Sequence, residues 1–337
     1  ELWLRMDTRT YITRKITYLL ITLAAILTFN FFLFRILPGD PARAFIGRGI
    51  SDEAVYIINE RFHLNDPLHV QFWYYIRDTL TLDFGVTGSL NAGASINELL
   101  GPRILNTLLL VGIGTVLAIV LGVMLGRFAA WRRGKPADTI GMAFALTFYS
   151  MPTFLFALFL MIVFSGELQW FPIRGAYGQL PWDSTVTDYR FMEWWEKIAS
   201  RGYHLVLPVI AFTLEIMAEF ALIMRNSLTD VLTEDYITTA RAKGLSNKKI
   251  LNDHAMRNAL LPVVTVAAIS VGWVLGGAIM VEMVFSYEGL GKLTWDAVGA
   301  RDLPLLQALF LIMAVAVLIS NLIADIVYTR LDPRVKI

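Results

Sequence analysis

The sequence predicts an all-α membrane protein with six transmembrane helices. Composition carries the first part of that reading: of 337 residues, 56% are hydrophobic and only 17% charged, against about 25% charged in an ordinary soluble domain. The length of the apolar blocks carries the second. A hydrocarbon core about 30 Å thick takes roughly 20 residues of helix to cross, and apolar stretches of that length recur along the chain. The third is a missing pattern: barrel strands would give segments of roughly ten residues with alternating polarity, and none alternates that way. Inside lipid every backbone polar group must be satisfied within the segment, which leaves helices.

In chain order the predicted spans are 16–37, 104–130, 139–164, 205–224, 262–285 and 305–328, each dominated by Leu, Ile, Val, Phe and Ala. The first block is longer than the apolar part of a secretory signal and lacks a small-residue cleavage site, so it reads as a span. Lys and Arg orient the set. They gather in segments 1–15 (Arg14, Lys15), 131–138 (Arg132, Arg133, Lys135), 225–261 (Arg225 to Arg257) and 329–337 (Arg330, Arg334). Basic residues favour the inner side, so both termini are predicted to be cytoplasmic. Segments 38–103 and 165–204 then become extracellular or periplasmic loops.

Those loops carry local order of their own. Pro38-Gly39-Asp40-Pro41 stops the first span with a rigid turn. Ser51 or Asp52 caps a predicted helix running to Phe62, and Pro67 starts another, since proline suits a first turn. The second of these is rich in aromatics from Phe72 to Tyr75. Its rings fit headgroup-level anchors or a docking surface for an external protein, as do residues 182–197.

Soluble-enzyme chemistry finds no foothold. No G-x-x-x-x-G-K-[ST] phosphate loop, H-E-x-x-H helix or G-x-S-x-G elbow is present. Cysteine is absent, which excludes disulfides and thiolate metal sites. His63, His69, His204 and His254 scatter over three predicted loops, and no metal site is expected. Nor is any nucleic-acid partner: the net charge is +1, and the basic residues form short patches between apolar blocks.

Segment 225–261 is the exception. Leu228, Val231, Leu232, Tyr236 and Ala240 share one helical stripe. Asp230, Glu234 and Asp235 lie near its start and Arg241 and Lys243 at its close, an order that suits the helix dipole. Gly244 follows, the residue type that takes a left-handed C′ position at little cost. Ser246 caps a second helix that carries Lys248 and Lys249 and runs to Pro262 and into the membrane. Such a pair could lie in the interface, read DNA or plug into a cytoplasmic partner. Tethering to spans at both ends argues against DNA, and a narrow stripe shared with acids argues against the interface. A partner plug fits best.

Two glutamates in the fourth predicted span, Glu215 and Glu219, are one turn apart and share a face. A charge at mid-bilayer costs on the order of 3 kcal/mol on insertion scales. They could line a path, attract a cationic cargo group or pair with Arg225. Glu282 and Asp325 sit near span ends, where a snorkelling structural role is expected. Gly122-x-x-x-Gly126 and Gly272-x-x-x-Gly276 allow close helix approach, and Pro152 and Pro208 are expected to kink their spans.

The run Glu234-Asp235-Tyr236-Ile237-Thr238-Thr239-Ala240-Arg241-Ala242-Lys243-Gly244-Leu245, followed by His254-Ala255-Met256-Arg257-Asn258-Ala259-Leu260-Leu261-Pro262, resembles the EAA loop of binding-protein-dependent ABC importer permeases. It is similar in particular to the dipeptide/oligopeptide/nickel branch. Leu37 to Pro41, Tyr149-Ser150-Met151-Pro152, Phe285 to Gly291 and Asp332-Pro333-Arg334 match in the same order. The PGDP turn and long first outer loop point to the first of that branch's two permease types, the dipeptide permease B-like one.

The resemblance implies a type I ABC importer permease (MetI-like) fold with a cytoplasmic coupling-helix loop. It implies half of a pseudo-symmetric heterodimer: a second homologous permease, two ATPase subunits and an extracellular binding protein. Cofactors are implied only on those partners, as ATP and Mg, and the chain itself is not an enzyme. Coupling to the ATPase falls to Glu234, Tyr236, Ala240, Gly244 and Arg257. Tyr149 and Ser150 join Glu215 and Glu219 as candidates for the translocation path. Peptide is the expected cargo, with oligosaccharide or nickel as alternatives within the branch. A stand-alone secondary transporter or channel is the alternative class, and it would predict inverted repeats.

Overall fold

The computed structural model describes residues 8–35, 56, 59–61, 63–91, 93–181, 189–271 and 278–331. Its described elements are helical apart from one isolated β-bridge between Val86 and Ser95. The helices are α1 (Thr8–Arg35), α2 (Leu68–Leu80), α3 (Ile96–Trp131), α4 (Pro136–Ser150) and α5 (Thr153–Leu160, continued as π-helix over Met161–Glu167). Then come α6 (Trp194–Val231), α7 (Asp235–Ala242), α8 (Met256–Val271), α9 (Ile279–Val284), α10 (Leu290–Ala300) and α11 (Leu303–Leu331).

Among the described residues four helices are long and apolar enough to cross a membrane: Thr13–Arg35 within α1, all of α3 and α6, and Leu303–Ile323 within α11. The predicted third span is not one helix. Met151 takes an extended conformation ahead of Pro152, and α4 and α5 meet there at 99°. A proline disfavours helical backbone in the residue before it, and here that produces a sharp break where the sequence suggested a kink. Phe148 and Phe156 pack edge to face across the break with centroids 4.9 Å apart. Counting the bent pair as one span gives five. The predicted fifth span is seen as α8 and α9, with the second glycine pair outside the described residues between them.

The predicted fourth span is longer than expected. A capping box starts α6 well ahead of the apolar run: the Glu193 amide donates to the Glu196 carboxylate at 2.7 Å, and the Glu193 side chain accepts from the backbone in return. His204 therefore lies buried inside a helix, its ring nitrogen 2.8 Å from the Ser200 carbonyl. Pro208 is accommodated within the same helix.

Among the described helices α3 and α6 share the most extensive contact, and glycines make it possible. A Cβ built on Gly122 would fall 2.6 Å from the Phe220 Cβ and 2.7 Å from the Met217 carbonyl oxygen. One on Gly126 would fall 2.8 Å from the Met224 Cβ and closer still to the Ala221 carbonyl oxygen. The predicted small-residue motif is thus a crossing point between two helices of one chain.

Polar ties hold the end of the bundle where α3 begins. Asp302 is fully buried and caps α11 through the Leu305 amide, while also accepting from the amides of Gly88, Ser89 and Leu90 at 2.8–3.0 Å. That fastens the loop before α3 to the start of α11. Asn30 of α1 donates to Tyr75 of α2 and to the Gln307 carbonyl of α11, and Phe31 packs on Phe72. The aromatic helix anticipated after Pro67 is thereby seated on α1, which Asn30 ties in turn to α11. Glu282 was expected to snorkel; it is instead fully buried. Its carboxylate accepts from the Thr107 hydroxyl at 2.8 Å and the Lys292 amide at 2.9 Å, so it sits on the N-terminus of α10.

The Pro38–Pro41 turn, the Asp332–Arg334 motif and most of the helix expected up to Phe62 lie outside the described residues.

Candidate functional site

The segment joining α6 to α8 forms a helix, a glycine corner and a second helix, as the sequence indicates, but the first helix is shorter than predicted. A turn at Leu232–Glu234 separates α6 from α7, with the Thr233 hydroxyl bonded to the Asp230 carbonyl at 2.7 Å. Leu228 and Val231 therefore belong to α6, and the predicted stripe is not continuous. Nor is it left for a partner. Leu228 is fully buried, and Val231 and Leu232 pack on the same cluster, which also holds Met224, Ile237, Ile250 and Ala255.

Helix α7 has a narrow buried face and a broad open one. Ile237 and Ala240 face the cluster, buried to 0% and 6% exposure. Exposed residues are Glu234 at the N-cap, then Asp235, Tyr236, Thr238, Thr239, Arg241, Ala242 and Lys243. Of the predicted coupling residues, Glu234, Tyr236, Gly244 and Arg257 are exposed, and Ala240 is not. Ala240 helps seat the helix. Ile237, absent from the predicted set, is its main buried side chain; an isolated apolar residue within Asp235–Thr239 was the available signal.

The corner has the geometry its glycine suggested. Gly244 has φ +75°, its amide donates to the Arg241 carbonyl at 2.9 Å, and the Leu245 amide donates to the Ala240 carbonyl at 3.3 Å. These are the two bonds of a Schellman motif. Nothing lies within 4 Å of a Cβ built there, so a larger residue would meet backbone strain of about 1–2 kcal/mol but no clash. Ser246 then accepts from the Lys249 amide. The chain runs through Asn247–Lys249 and a π-helical stretch, Ile250–Ala255, into α8. Pro262 is carried inside α8 rather than marking its start. Asn258 of α8 donates to the Tyr236 hydroxyl at 2.8 Å, which ties α7 to the far side of the corner. The element is thus braced in itself and continuous with a long apolar helix.

The path candidates all lie on the surface of this chain. Glu219 is exposed and Glu215 half-buried, and neither takes a hydrogen-bond or ion-pair partner among the described residues. Arg225, a suggested partner for them, is bound to Asp138. Tyr149 and Ser150 are exposed beside the α4–α5 break. The structure does not gather the four into an enclosed cavity.

Comparison with known proteins gives this arrangement a family. Residues 118–337 match the family described as binding-protein-dependent transport system inner membrane component. Residues 8–93 match the N-terminal family of such membrane components. The chain is 35% identical to the glutathione transport system permease protein GsiC of Salmonella choleraesuis (strain SC-B67) over 326 residues, covering 97% of this chain and 98% of that one. It is 34% identical to the dipeptide transport system permease protein DppB of Alkalihalophilus pseudofirmus and to the oligopeptide transport system permease protein AppB of Bacillus subtilis (strain 168). Both of those alignments cover 97% of this chain and 99% of the relative. Among solved structures, an inward-facing form of the MetNI methionine ABC transporter superposes with a TM-score of 0.53 at 16% identity, over 70% of this chain and 97% of that one. That likeness establishes the all-helical MetI-like fold of type I importers. The chain belongs to the binding-protein-dependent transport family, as the membrane-embedded permease subunit of an ATP-binding-cassette importer.

Proposed function

We propose that this permease imports di- or oligopeptides, acting as one half of a heterodimeric pore with six spans and cytoplasmic termini. The carrying observation is the braced element Asp235–Val271: a short helix with an open polar face, locked by a left-handed corner to a long apolar helix. A rigid helix changes little in length under load, so motion imposed on α7 is passed on to α8. The ATPase subunit docks on the open face, through Glu234 and Tyr236, with Arg257 beside them and Gly244 setting the angle. Partner surface against that face is mainly polar, because the apolar residues of the segment already fill the chain's own core.

In this reading two ATPase subunits hydrolyse ATP with Mg, a second homologous permease completes the pore, and an extracellular binding protein delivers cargo. Loops 38–103 and 165–204 face that binding protein. Peptide cargo is supported by relatives named for dipeptide, oligopeptide and glutathione transport, since glutathione is itself a peptide. Glu215 and Glu219 face the second permease across the path. A carboxylate pair directed at lipid would cost several kcal/mol, whereas a wet path keeps it solvated and attracts a peptide's ammonium end. Tyr149 and Ser150 flank the same path at the helix break.

Reconstitution of the complete transporter tests the reading. Labelled peptide should enter vesicles only with both binding protein and ATP present. Uptake driven by an ion gradient without ATP would contradict it.

A further inference from the structure

We infer that the notch where the end of α3 meets the π-helical stretch before α8 binds the phosphate headgroup of an anionic phospholipid. On α3, Leu117, Val120, Leu121, Met124 and Phe128 are all exposed and recur at three- and four-residue intervals, so they share one face. On a membrane-spanning helix that face meets acyl chains. It ends at two guanidinium groups. Arg132 lies 4.0 Å over the Phe128 ring, and Arg127 sits at the edge of an open cavity of about 300 Å³ floored by Met124, Phe128, Trp131 and Leu251. An acyl groove that closes on arginines and an indole has the chemistry of a headgroup site.

Charge supplies the second argument. Arg127 donates to the neutral Asn252 side chain at 2.8 Å, and neither Arg127 nor Arg132 has a carboxylate partner among the described residues. Two neighbouring planar guanidinium groups suit a phosphodiester, whose oxygens accept paired N–H bonds. Free phosphate would satisfy the arginines but leave the apolar floor uncovered. A lipid covers both. Because Leu251 and Asn252 belong to the π-helical stretch that joins the proposed coupling element to α8, the bound lipid also bridges α3 to that element. This second consequence rests on the proposed coupling role; the lipid site itself does not.

Lipid binding is measured by native mass spectrometry on the assembled transporter, titrated with phosphatidylglycerol or phosphatidylcholine. Wild type should retain phosphatidylglycerol preferentially. Each basic side chain held against the anionic headgroup contributes about fivefold in affinity, so Arg127→Gln with Arg132→Gln should weaken retention about thirtyfold. The control pair Arg133→Gln with Lys135→Gln removes equal charge outside the notch and should leave retention near wild type. Equal retention of both lipids by the wild-type complex would overturn the inference, and this arm needs no variant to assemble. So would an equal loss in the control pair, or displacement of the lipid by millimolar inorganic phosphate.

Discussion

Arg225 closes on Asp138 through two parallel hydrogen bonds, Nε to Oδ1 at 2.6 Å and Nη2 to Oδ2 at 2.7 Å. The pair staples the end of α6 to the first turn of α4, and Asp138 also accepts from the Gly134 amide. The Asp138 side chain is 4% exposed and that of Arg225 26%, so the bonds are sheltered at their acceptor end. The end of α6 that leads into α7 is thereby held against α4.

Removing one partner leaves the other's charge without its bidentate bonds. Asp138→Asn should lower stability by about 2 kcal/mol, the scale of a charge-assisted hydrogen bond, seen as a lower midpoint in a fluorescence-monitored thermal melt. The swap Asp138→Arg with Arg225→Asp should recover part of the loss. A single variant that melts like wild type would show that the staple contributes nothing.

The glycine crossing makes a sharper demand on volume. Gly126→Ala places a methyl group against the Ala221 carbonyl and Met224, atoms that move only if α3 and α6 separate. Overpacking of this kind costs about 1–3 kcal/mol. Purified variant should melt lower than wild type, with Gly112→Ala as the comparison, since Gly112 lies in the same helix with open space around it. Equal melting of Gly126→Ala and wild type would mean the helices give way freely.

Sequence carried the long elements and the local corners, and it missed what distant residues decide. Spans one, two, four and six were legible because apolar length alone defines them. Pro67 and Gly244 were legible because each fixes its own backbone. The break at Met151 lies within a span whose apolar length reads as continuous, and Pro152 alone does not separate a mild kink from a 99° turn. The burial of Glu282 depends on Thr107 and the start of α10, and the partner of Arg225 depends on how α4 meets α6. Hydrophobic periodicity is blind to both. The single stripe read from Leu228 to Ala240 failed for a local reason: the Thr233 turn lets Leu228 and Ala240 reach the same core from two different helices.

Topology is open to direct chemical test in a chain with no cysteine. Ser246 and Phe191 are both exposed, on opposite sides of the bilayer in the proposed arrangement. Ser246→Cys should label only with a permeant reagent or from inverted vesicles, and Phe191→Cys from outside intact cells. Labelling of both from one side would contradict the arrangement.

Glu215 and Glu219 separate path from scaffold. Replacing both with Gln keeps size and removes charge, and since neither has an ion-pair partner among the described residues, folding should not suffer. Uptake of peptides with a free ammonium end should fall severalfold while assembly and basal ATP hydrolysis stay near wild type. Unchanged uptake of all peptides, or loss of assembled protein, would remove these residues from the path.

The proposed coupling requires the open face of α7 to meet the ATPase. Thr238 lies on that face, exposed and with no side-chain hydrogen bond among the described residues. A cysteine there, in the fully assembled transporter, should form a crosslink to the nucleotide-binding subunit with a short bifunctional reagent, at a yield that changes between ATP-bound and nucleotide-free states. An assembled, transport-competent complex in which Thr238→Cys crosslinks to no ATPase subunit in any nucleotide state would contradict the coupling role of this helix.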